Sequence, residues 1–290
     1  MKKNVLTLML VLFSMSAFSE VSQLELNIRK LIADKKLKLG FMLCELQNDK
    51  CIEINADDHF PMQSVYKFPI ALATLSYADK NGIALTDTMI IEERYLNNKT
   101  WSPIRKKYPE GDVELPLSEI IYETVAWSDN NGSDFLLKMI GGPDSAMCYM
   151  RNNGFENIQI RNYESEIQAD WQTQFVNYTT PRAIITLLKA FYQKQLLKNE
   201  FFEFLWQVMT DTSTGSIRNY IPDCSLIARK TGSSGQNSKG VTAALNDVGI
   251  WRITSDRTLF YTIFITESTE SPETNAEIIA QIARLIRHSY

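Results

Sequence analysis

The segment His59-Phe60-Pro61-Met62-Gln63-Ser64-Val65-Tyr66-Lys67 marks the point at which a strand-like sequence gives way to a helical one. Upstream, Leu39 to Gln47 and Cys51 to Ala56 are typical of a β-hairpin that turns at Asn48-Asp49. Downstream of Ser64, the spacing of apolar residues predicts a helix to about Ala78. A serine hydroxyl is therefore expected at the beginning of a helix.

Helical spacing dominates the middle of the chain and strand-like composition returns near its end. The predicted helices are Leu117 to Ala126, Ser133 to Ile140, Pro181 to Gln195 and Phe201 to Thr210. The predicted strands, rich in β-branched and aromatic residues, are Leu226 to Thr231, Val241 to Ile253 and Thr258 to Thr266. A last helix is expected after Ser271 as N-cap and Pro272 at the first helical position.

These elements predict an α/β fold of the α+β sandwich type. Strands from both ends of the chain are expected to join one antiparallel sheet flanked by helices. The middle, residues 63–211, is expected to form an inserted all-helical lobe, and residues 20–62 and 212–290 an α/β lobe. Residues 20–290 are thus one catalytic domain, in which the cleft between the lobes is the natural place for a site.

Residues 1–19 have the features of a secretory signal peptide. Lys2 and Lys3 form a positively charged N-terminal region, and Val5 to Phe13 form an apolar run. Ala17 and Ser19 are the small residues of a cleavage site. An uncleaved N-terminal anchor is the alternative, but the apolar run is too short to span a bilayer. We therefore expect export to the periplasm, with no membrane anchor in the mature form.

Composition narrows the range of partners. The formal net charge is −4, with 30 basic and 34 acidic residues and no basic cluster, which argues against nucleic acid and anionic membranes. Cys44 and Cys51 flank a turn and either form a disulfide across the hairpin or remain buried thiols; Cys148 and Cys224 suggest no framework. No spacing of ligands predicts a metal site, no cofactor is implied, and a monomer is the default expectation.

The chain contains only two histidines, His59 and His288. A Ser-His-Asp triad is therefore poorly supported, and a zinc hydrolase with several histidine ligands even less so. Any nucleophilic serine in this chain needs a lysine or a carboxylate as its base.

Ser64 and Lys67 provide such a pair. Positions i and i+3 share one face of a helix, so the lysine amine can reach the serine hydroxyl. The helix N-terminus offers N–H groups to a developing oxyanion, and a lysine that is desolvated can lose its proton near neutral pH. Alone, the pair is equally compatible with an N-cap serine and a solvated lysine.

Two further motifs follow in order. Ser128-Asp129-Asn130, between two predicted helices, offers a hydroxyl that can relay a proton and an amide that can hold a peptide-like group, or it is simply a helix-capping loop. Lys230-Thr231-Gly232-Ser233, at the end of a predicted strand, offers a cation for an anionic group and a glycine beside which a substrate can lie.

Together the three motifs resemble the set shared by serine β-lactamases and penicillin-binding proteins. Segments 59–64, 100–103 and 214–218 resemble in particular the class A extended-spectrum subgroup that contains the PER and VEB enzymes. The resemblance covers essentially the whole mature chain, and it implies hydrolysis of penicillins and cephalosporins, with antibiotic resistance as the result.

The resemblance also implies the roles of individual residues. Ser64 is the expected nucleophile, Lys67 its proton acceptor and Ser128 the donor to the leaving lactam nitrogen. The other implied roles are an acylamido contact for Asn130, a carboxylate site at Lys230 and Thr231 beside Gly232, and an oxyanion hole at the N–H groups of Ser64 and Ser233.

A glutamate that activates water distinguishes a class A hydrolase from a transpeptidase. Matching Gln168 and Trp171 to the PER and VEB pattern implies Glu164 as this base, with the Gln168 amide helping to hold the water. Glu166 is the alternative, although its neighbour at i+4, Asp170, would disfavour ionisation of both carboxyl groups. Both glutamates could also be solvated loop charges.

This loop departs from the commonest class A pattern. Ser165 replaces the usual proline, so a cis peptide is not assured, and Asn162 and Asn177 occupy the positions of the usual loop-closing arginine and aspartate. We expect a loop that accepts bulky oxyimino-cephalosporins. The resemblance further implies Arg218 as a contact for the substrate carboxylate, with a surface arginine as the alternative. Trp101 is expected to wall the cleft, with a core tryptophan as the alternative.

Two other functions share the three motifs. A DD-peptidase would cleave peptidoglycan stem peptides and release β-lactams slowly, and the loop glutamate argues against it. A β-lactam sensor would stop at the acylated state, but such sensors are tethered to membrane signalling domains, and no such segment was found. Sustained turnover of a chromogenic cephalosporin separates the hydrolase from both.

Overall fold

The computed structural model describes residues 23–167, 170–215, 217 and 226–290. Residues 1–19, the expected signal peptide, lie outside this part of the chain. The strands are β1 Lys38–Glu45, β2 Cys51–Ile54, β3 Phe60–Pro61, β4 Thr88–Ile91, β5 Val113–Pro116, β6 Ile158–Gln159, β7 Tyr178–Thr179, β8 Leu226–Ser233, β9 Thr242–Thr254 and β10 Arg257–Ser268. The helices are α1 over 23–32, α2 Lys67–Lys80, α3 Pro103–Lys107, α4 Leu117–Ala126, α5 Asn130–Met139, α6 Pro143–Asn152, α7 Glu164–Ile167, α8 Pro181–Tyr192, α9 Asn199–Thr210 and α10 Pro272–Ser289.

Five strands form an antiparallel sheet in the order β2-β1-β10-β9-β8. Two of them come from the N-terminal part of the chain and three from the C-terminal part, as the sequence pattern predicts. The closing helix also begins as predicted, because the Ser271 side chain accepts a hydrogen bond from the Thr274 N–H and Pro272 is its first residue. The predicted fold class is confirmed.

The hairpin β1–β2 is closed by a disulfide. Cys44 and Cys51 lie directly opposite each other in the antiparallel register, and their sulfurs are bonded. The alternative of two buried thiols is therefore wrong. Cys148 is an exposed free thiol, and Cys224 lies outside the described residues.

The sheet separates two apolar cores. On one face, α1 and α10 pack through Leu24, Ile28 and Ile282 against Phe41 and Trp251. On the other face lie α8 and the large core of the helical region, which extends from the sheet to α2, α4 and α5. Successive residues of the central strands therefore face the two cores in turn, as the alternation of side chains along a strand requires.

The inserted region between β3 and β8 is mainly helical but also contains short strands. β4 pairs with β5, and β3, β7 and β6 form a small sheet. These strands are two to four residues long, which is too short for a recognisable alternation pattern. The helices α3 and α6 were not predicted either, although Pro103 and Pro143 at their first positions are signals for a helix start.

The helix that carries the proposed nucleophile begins in two steps. Gln63–Tyr66 form one 3₁₀ turn, and α2 continues directly from it at Lys67. Gln63 has a φ of 46°, in the left-handed region that most side chains avoid. Ser64 thus lies at the junction of a constrained turn with a buried helix. No helix of the described residues is long and apolar enough to cross a membrane.

A buried ion pair ties β8 to β9 on the face opposite the helical region. Arg229 and Asp247 are almost completely buried and lie 3.0 Å apart, and the Tyr261 hydroxyl donates a hydrogen bond to the same carboxylate at 2.8 Å. Burial raises the pKa of Asp247 to about 6, although Arg229 and the Tyr261 hydrogen bond oppose this shift. The pair fixes the backbone on either side of Lys230, the next residue of β8.

Asp247→Ala is expected to lower the free energy of unfolding by about 3–5 kcal/mol, because it leaves the Arg229 charge buried without its partner. The double variant Arg229→Met/Asp247→Leu should recover most of this loss, since it removes both charges from the interior. Urea denaturation of the wild type and both variants measures the difference. A single variant as stable as the wild type would contradict the structural role given to this pair.

Candidate active site

A cleft of about 510 Å³ lies where the end of β8 meets the helical region. Its lining includes Ser64, Ser128, Asn130, Glu164 and Thr231, which come from separate elements. The described site residues predicted from the sequence therefore converge on one place, instead of being spread over the surface.

Ser64 and Lys67 are in direct contact in this cleft. The Lys67 Nζ lies 3.0 Å from the Ser64 Oγ, across one helical turn. The lysine is completely buried, and its amine also donates to the Ser128 carbonyl oxygen at 2.9 Å and contacts the Asn130 Oδ1. The alternative of a solvated lysine is therefore excluded, because every contact of this amine lies inside the protein.

Ser128 connects the two buried lysines of the cleft. Its Oγ is 3.4 Å from the Lys67 Nζ and 3.1 Å from the Lys230 Nζ. Ser128 adopts a φ of 62°, an unfavourable conformation for a residue with a β-carbon. Strained backbone is retained where the surroundings impose it, and here it turns the hydroxyl toward both amines.

Burial changes the acidity of both amines. Desolvation lowers the pKa of Lys67, while Glu164, Asp129 and Asp134 oppose this shift. Desolvation also holds the pKa of Lys230 well below its ordinary range, and the neighbouring Lys67 charge lowers it further. Two ammonium groups on one hydroxyl repel each other, so the loss of a proton from one of them is favoured.

The Ser128-Asp129-Asn130 segment combines capping with a position in the cleft. Asp129 is the N-cap of α5, and its carboxylate accepts hydrogen bonds from the N–H groups of Gly132 and Ile104 and from the Ser102 hydroxyl. This cap fixes the loop, so the two neighbouring side chains face the cleft. The side-chain oxygen of Asn130 accepts a hydrogen bond from the Lys67 amine, and its side-chain NH₂ donates one to the Thr100 hydroxyl.

The end of β8 packs closely against the turn that carries Ser64. A β-carbon at Gly232 would lie 2.5 Å from the Met62 carbonyl oxygen and 3.0 Å from the Ser64 nitrogen, so only glycine allows this approach. Ser233 follows at the rim of the cleft, and the Thr231 hydroxyl contacts that of Thr214 at 2.6 Å. The arrangement brings the strand edge next to the nucleophile.

Glu164 is 5% exposed, lines the cleft and begins α7. Its Oε2 accepts a hydrogen bond from the Tyr66 hydroxyl at 2.7 Å. Glu166 is exposed, and its carboxylate accepts from the Tyr163 N–H outside the cleft. Of the two candidate glutamates, the structure places only Glu164 beside Ser64.

Two side chains hold the loop that carries Glu164. The Asp134 carboxylate accepts from the N–H groups of Glu164 at 2.6 Å and of Ser165 at 3.1 Å. The Asn177 amide accepts from the Asn162 N–H and donates to the carbonyl oxygen of the same residue. The peptide bond between Glu164 and Ser165 is trans, because the described chain contains no cis peptide. Hydrogen bonds to backbone thus replace the salt bridge that commonly closes this loop.

Two tryptophans border the mouth of the cleft. Trp101 is 63% exposed, and its indole N–H donates to the carbonyl oxygen of Trp127, which is also exposed. Trp101 is therefore not a core residue. Gln168 and Arg218, which the sequence also assigned to the site, lie outside the described residues.

The site also includes residues that were not predicted, among them Tyr66, Asp134 and Trp127. Asp134 lies four residues after Asn130, a spacing that places both on one helix face and could have indicated it. Tyr66 lies inside the Ser-x-x-Lys motif, but the sequence does not show where its hydroxyl points. Among the described residues there is no cluster of histidine, cysteine and acidic side chains that could hold a metal ion.

Comparison with known proteins agrees with this geometry. The profile of the Beta-lactamase enzyme family matches residues 23–290. The chain is 38% identical to Beta-lactamase VEB-1 from Pseudomonas aeruginosa, over 99% of this chain and 98% of that protein. It is 32% identical to Extended-spectrum beta-lactamase PER-1 from the same organism, over 95% of this chain and 91% of that protein.

Solved structures give the same result. The crystal structure of the TLA-3 extended-spectrum beta-lactamase superposes with a TM-score of 0.90 at 37% identity, covering 92% of this chain and 98% of that one. Because the family profile spans the described chain and the fold matches throughout, we conclude that the chain belongs to the β-lactamase enzyme family and is a class A serine β-lactamase, a hydrolase that acts on β-lactams.

Proposed function

We propose that this enzyme opens the β-lactam ring through an ester on Ser64, and that Glu164 then directs hydrolysis of this ester. The supporting observation is a continuous series of contacts in the cleft. The Ser64 Oγ, Lys67 Nζ, Ser128 Oγ and Lys230 Nζ follow one another at 3.0, 3.4 and 3.1 Å. A proton can pass along such a series without large movement of any side chain.

In acylation, the Ser64 oxygen attacks the lactam carbonyl carbon and its proton passes to the neutral Lys67 amine. The carbon–nitrogen bond of the ring breaks, and the nitrogen receives a proton from Ser128, which is replenished from Lys67. The lowered pKa of Lys67, caused by its burial, supports its role as acceptor. Ser64 is left as an ester and the ring nitrogen as an amine.

The substrate is held by groups on both sides of Ser64. The N–H groups of Ser64 and Ser233 stabilise the oxyanion, which the close packing of Gly232 on the Ser64 backbone supports. Lys230, whose charged form the substrate carboxylate favours, binds this carboxylate together with Thr231. Asn130 binds the acylamido group, and Trp101 flanks the substrate. Arg218 as a second carboxylate contact rests on the sequence resemblance alone.

In deacylation, a water gives a proton to Glu164 and attacks the ester carbon. The bond to the Ser64 oxygen breaks, and this oxygen takes up the proton that Glu164 accepted, so that both the serine and the carboxylate return to their starting forms. The burial of Glu164 in the cleft and the exposure of Glu166 support this assignment. Gln168, which we expect to help hold the water, again rests on the resemblance. The glutamate is also the feature that argues for a hydrolase over a DD-peptidase or a sensor.

The substrate range is proposed to include oxyimino-cephalosporins. PER-1 and TLA-3 are named as extended-spectrum enzymes, and the loop of this chain is closed by Asn177 and Asp134 instead of an ion pair. We further propose, from residues 1–19, export to the periplasm and a soluble mature form, with no nucleic-acid partner and a monomeric state.

Glu164→Gln is expected to accumulate the acyl-enzyme on Ser64, because acylation remains while the ester loses its base. General-base catalysis contributes about 10²–10⁴-fold, so deacylation should slow by about that factor. Mass spectrometry of the intact protein after mixing with a cephalosporin measures the adduct. Glu166→Gln is the matched control and should turn over normally; the reverse pattern would move the base to Glu166.

Lys67→Met is expected to slow acylation by about 10²–10⁴-fold, since methionine fills the volume but accepts no proton. Stopped-flow acylation by a chromogenic cephalosporin measures this step. Lys106→Met, on the exposed side of α3, serves as the control for loss of a lysine. Rapid acylation by Lys67→Met would show that another group takes the Ser64 proton.

The proposed loop geometry predicts kcat/KM values for oxyimino-cephalosporins within about 1.4–2.8 kcal/mol, that is 10- to 100-fold, of those for small penicillins. Steady-state hydrolysis of one drug from each class measures the ratio. Good turnover of the penicillin together with failure on the oxyimino-cephalosporin would rule out the extended-spectrum proposal.

A further inference from the structure

Tyr66 has its aromatic ring in the core of the helical region and its hydroxyl at the edge of the active site. The residue is completely buried and lies between Ser64 and Lys67 in the turn that opens α2. A phenylalanine would fill the same apolar space. What distinguishes tyrosine here is its hydroxyl, which needs hydrogen-bond partners in the interior because an unpaired buried polar group destabilises the folded protein.

The directions of its two hydrogen bonds are fixed by the available protons. A carboxylate only accepts, so the single phenolic proton goes to the Glu164 Oε2, at 2.7 Å. The Ser133 hydroxyl then donates to the tyrosine oxygen, at 3.3 Å. Burial, with the nearby Glu164 and Asp134 charges, raises the pKa of Tyr66 well above its ordinary value, which keeps the hydroxyl protonated as a donor.

Glu164 is thereby held at two points. Its backbone N–H donates to Asp134, and its Oε2 accepts from Tyr66. No residue in the described part of the chain donates a hydrogen bond to the second carboxylate oxygen, Oε1. A carboxylate fixed through one oxygen has its plane set, and the other oxygen remains available to accept a proton.

We propose that Tyr66 is a positioning residue for deacylation, in which its hydroxyl holds the Glu164 Oε2 and leaves Oε1 to take the proton of the attacking water. The inference rests on the proposed role of Glu164 as the general base. Tyr66 itself exchanges no proton with substrate or water. Its contribution is the orientation of the base.

Several charges act on this carboxylate besides the tyrosine. Lys67 on α2 and Lys230 on β8 attract it, and Asp134 on α5 repels it. All of them remain when the hydroxyl is removed. Removal of the hydroxyl therefore takes away one hydrogen bond to this carboxylate and leaves its charged neighbours in place. A merely structural role of Tyr66 would slow acylation and deacylation alike, whereas a positioning role slows deacylation alone.

The test compares Tyr66→Phe with Tyr149→Phe, a matched control. The Tyr149 hydroxyl donates to the Leu196 carbonyl oxygen in the same helical region, away from the cleft. With a cephalosporin whose deacylation limits turnover, kcat and KM of Tyr66→Phe should fall together by about tenfold, a part of the 10²–10⁴-fold general-base effect. Its kcat/KM, which reports acylation, should stay unchanged. Tyr149→Phe should change none of these quantities.

The possible results separate the inference from the proposed function. If Tyr66→Phe lowers kcat/KM and kcat equally, the hydroxyl does not position the base and the inference is wrong. Glu164→Gln is measured in parallel. If it traps the acyl-enzyme while Tyr66→Phe behaves as the wild type, only the inference fails; if it turns over normally, the proposed base itself is wrong.

Discussion

The structure of the site depends on one constraint, the complete burial of the Lys67 amine between Ser64 and Ser128. A lysine in water keeps its proton at neutral pH and cannot act as a base. Within the protein, desolvation lowers the pKa of Lys67, and the second buried lysine, Lys230, contacts the same Ser128 hydroxyl. The remaining features of the active site exclude water from this amine and hold it in contact with the hydroxyls of Ser64 and Ser128.

The fold meets this constraint by joining elements that are distant in the sequence. The 3₁₀ turn and α2 place Ser64 and Lys67 on one face, and the Asp129 cap holds the loop that carries Ser128. The end of β8 places Lys230 in contact with the Ser128 hydroxyl. Gly232 allows the backbone of β8 to pack against the turn that carries Ser64. The Arg229–Asp247 pair ties β8 to β9 and so helps to hold Lys230 in its place.

Much of this could be predicted from the sequence, because the motifs are local. The spacing of Ser64 and Lys67 fixes their contact once the segment is helical, and the pattern of apolar residues gave the long helices and the strands of the main sheet. The pairing of Cys44 with Cys51 remained open until the strand register placed them opposite each other. The contacts of Tyr66 and Asp134 with Glu164 join residues about 100 and 30 positions apart, and no local pattern specifies them. The short strands of the inserted region were missed for a different reason, since two to four residues carry too little periodicity.

The central claim is that Lys67 loses its proton more easily than an ordinary lysine. The most direct test is an NMR titration of the free enzyme labelled with ¹³C-lysine at the ε-carbon, with Lys67→Met used to assign the signal. The Lys67 signal is expected to titrate at clearly lower pH than the signals of the exposed lysines. A Lys67 that titrates together with the exposed lysines, or above them, would contradict its role as the acceptor of the Ser64 proton.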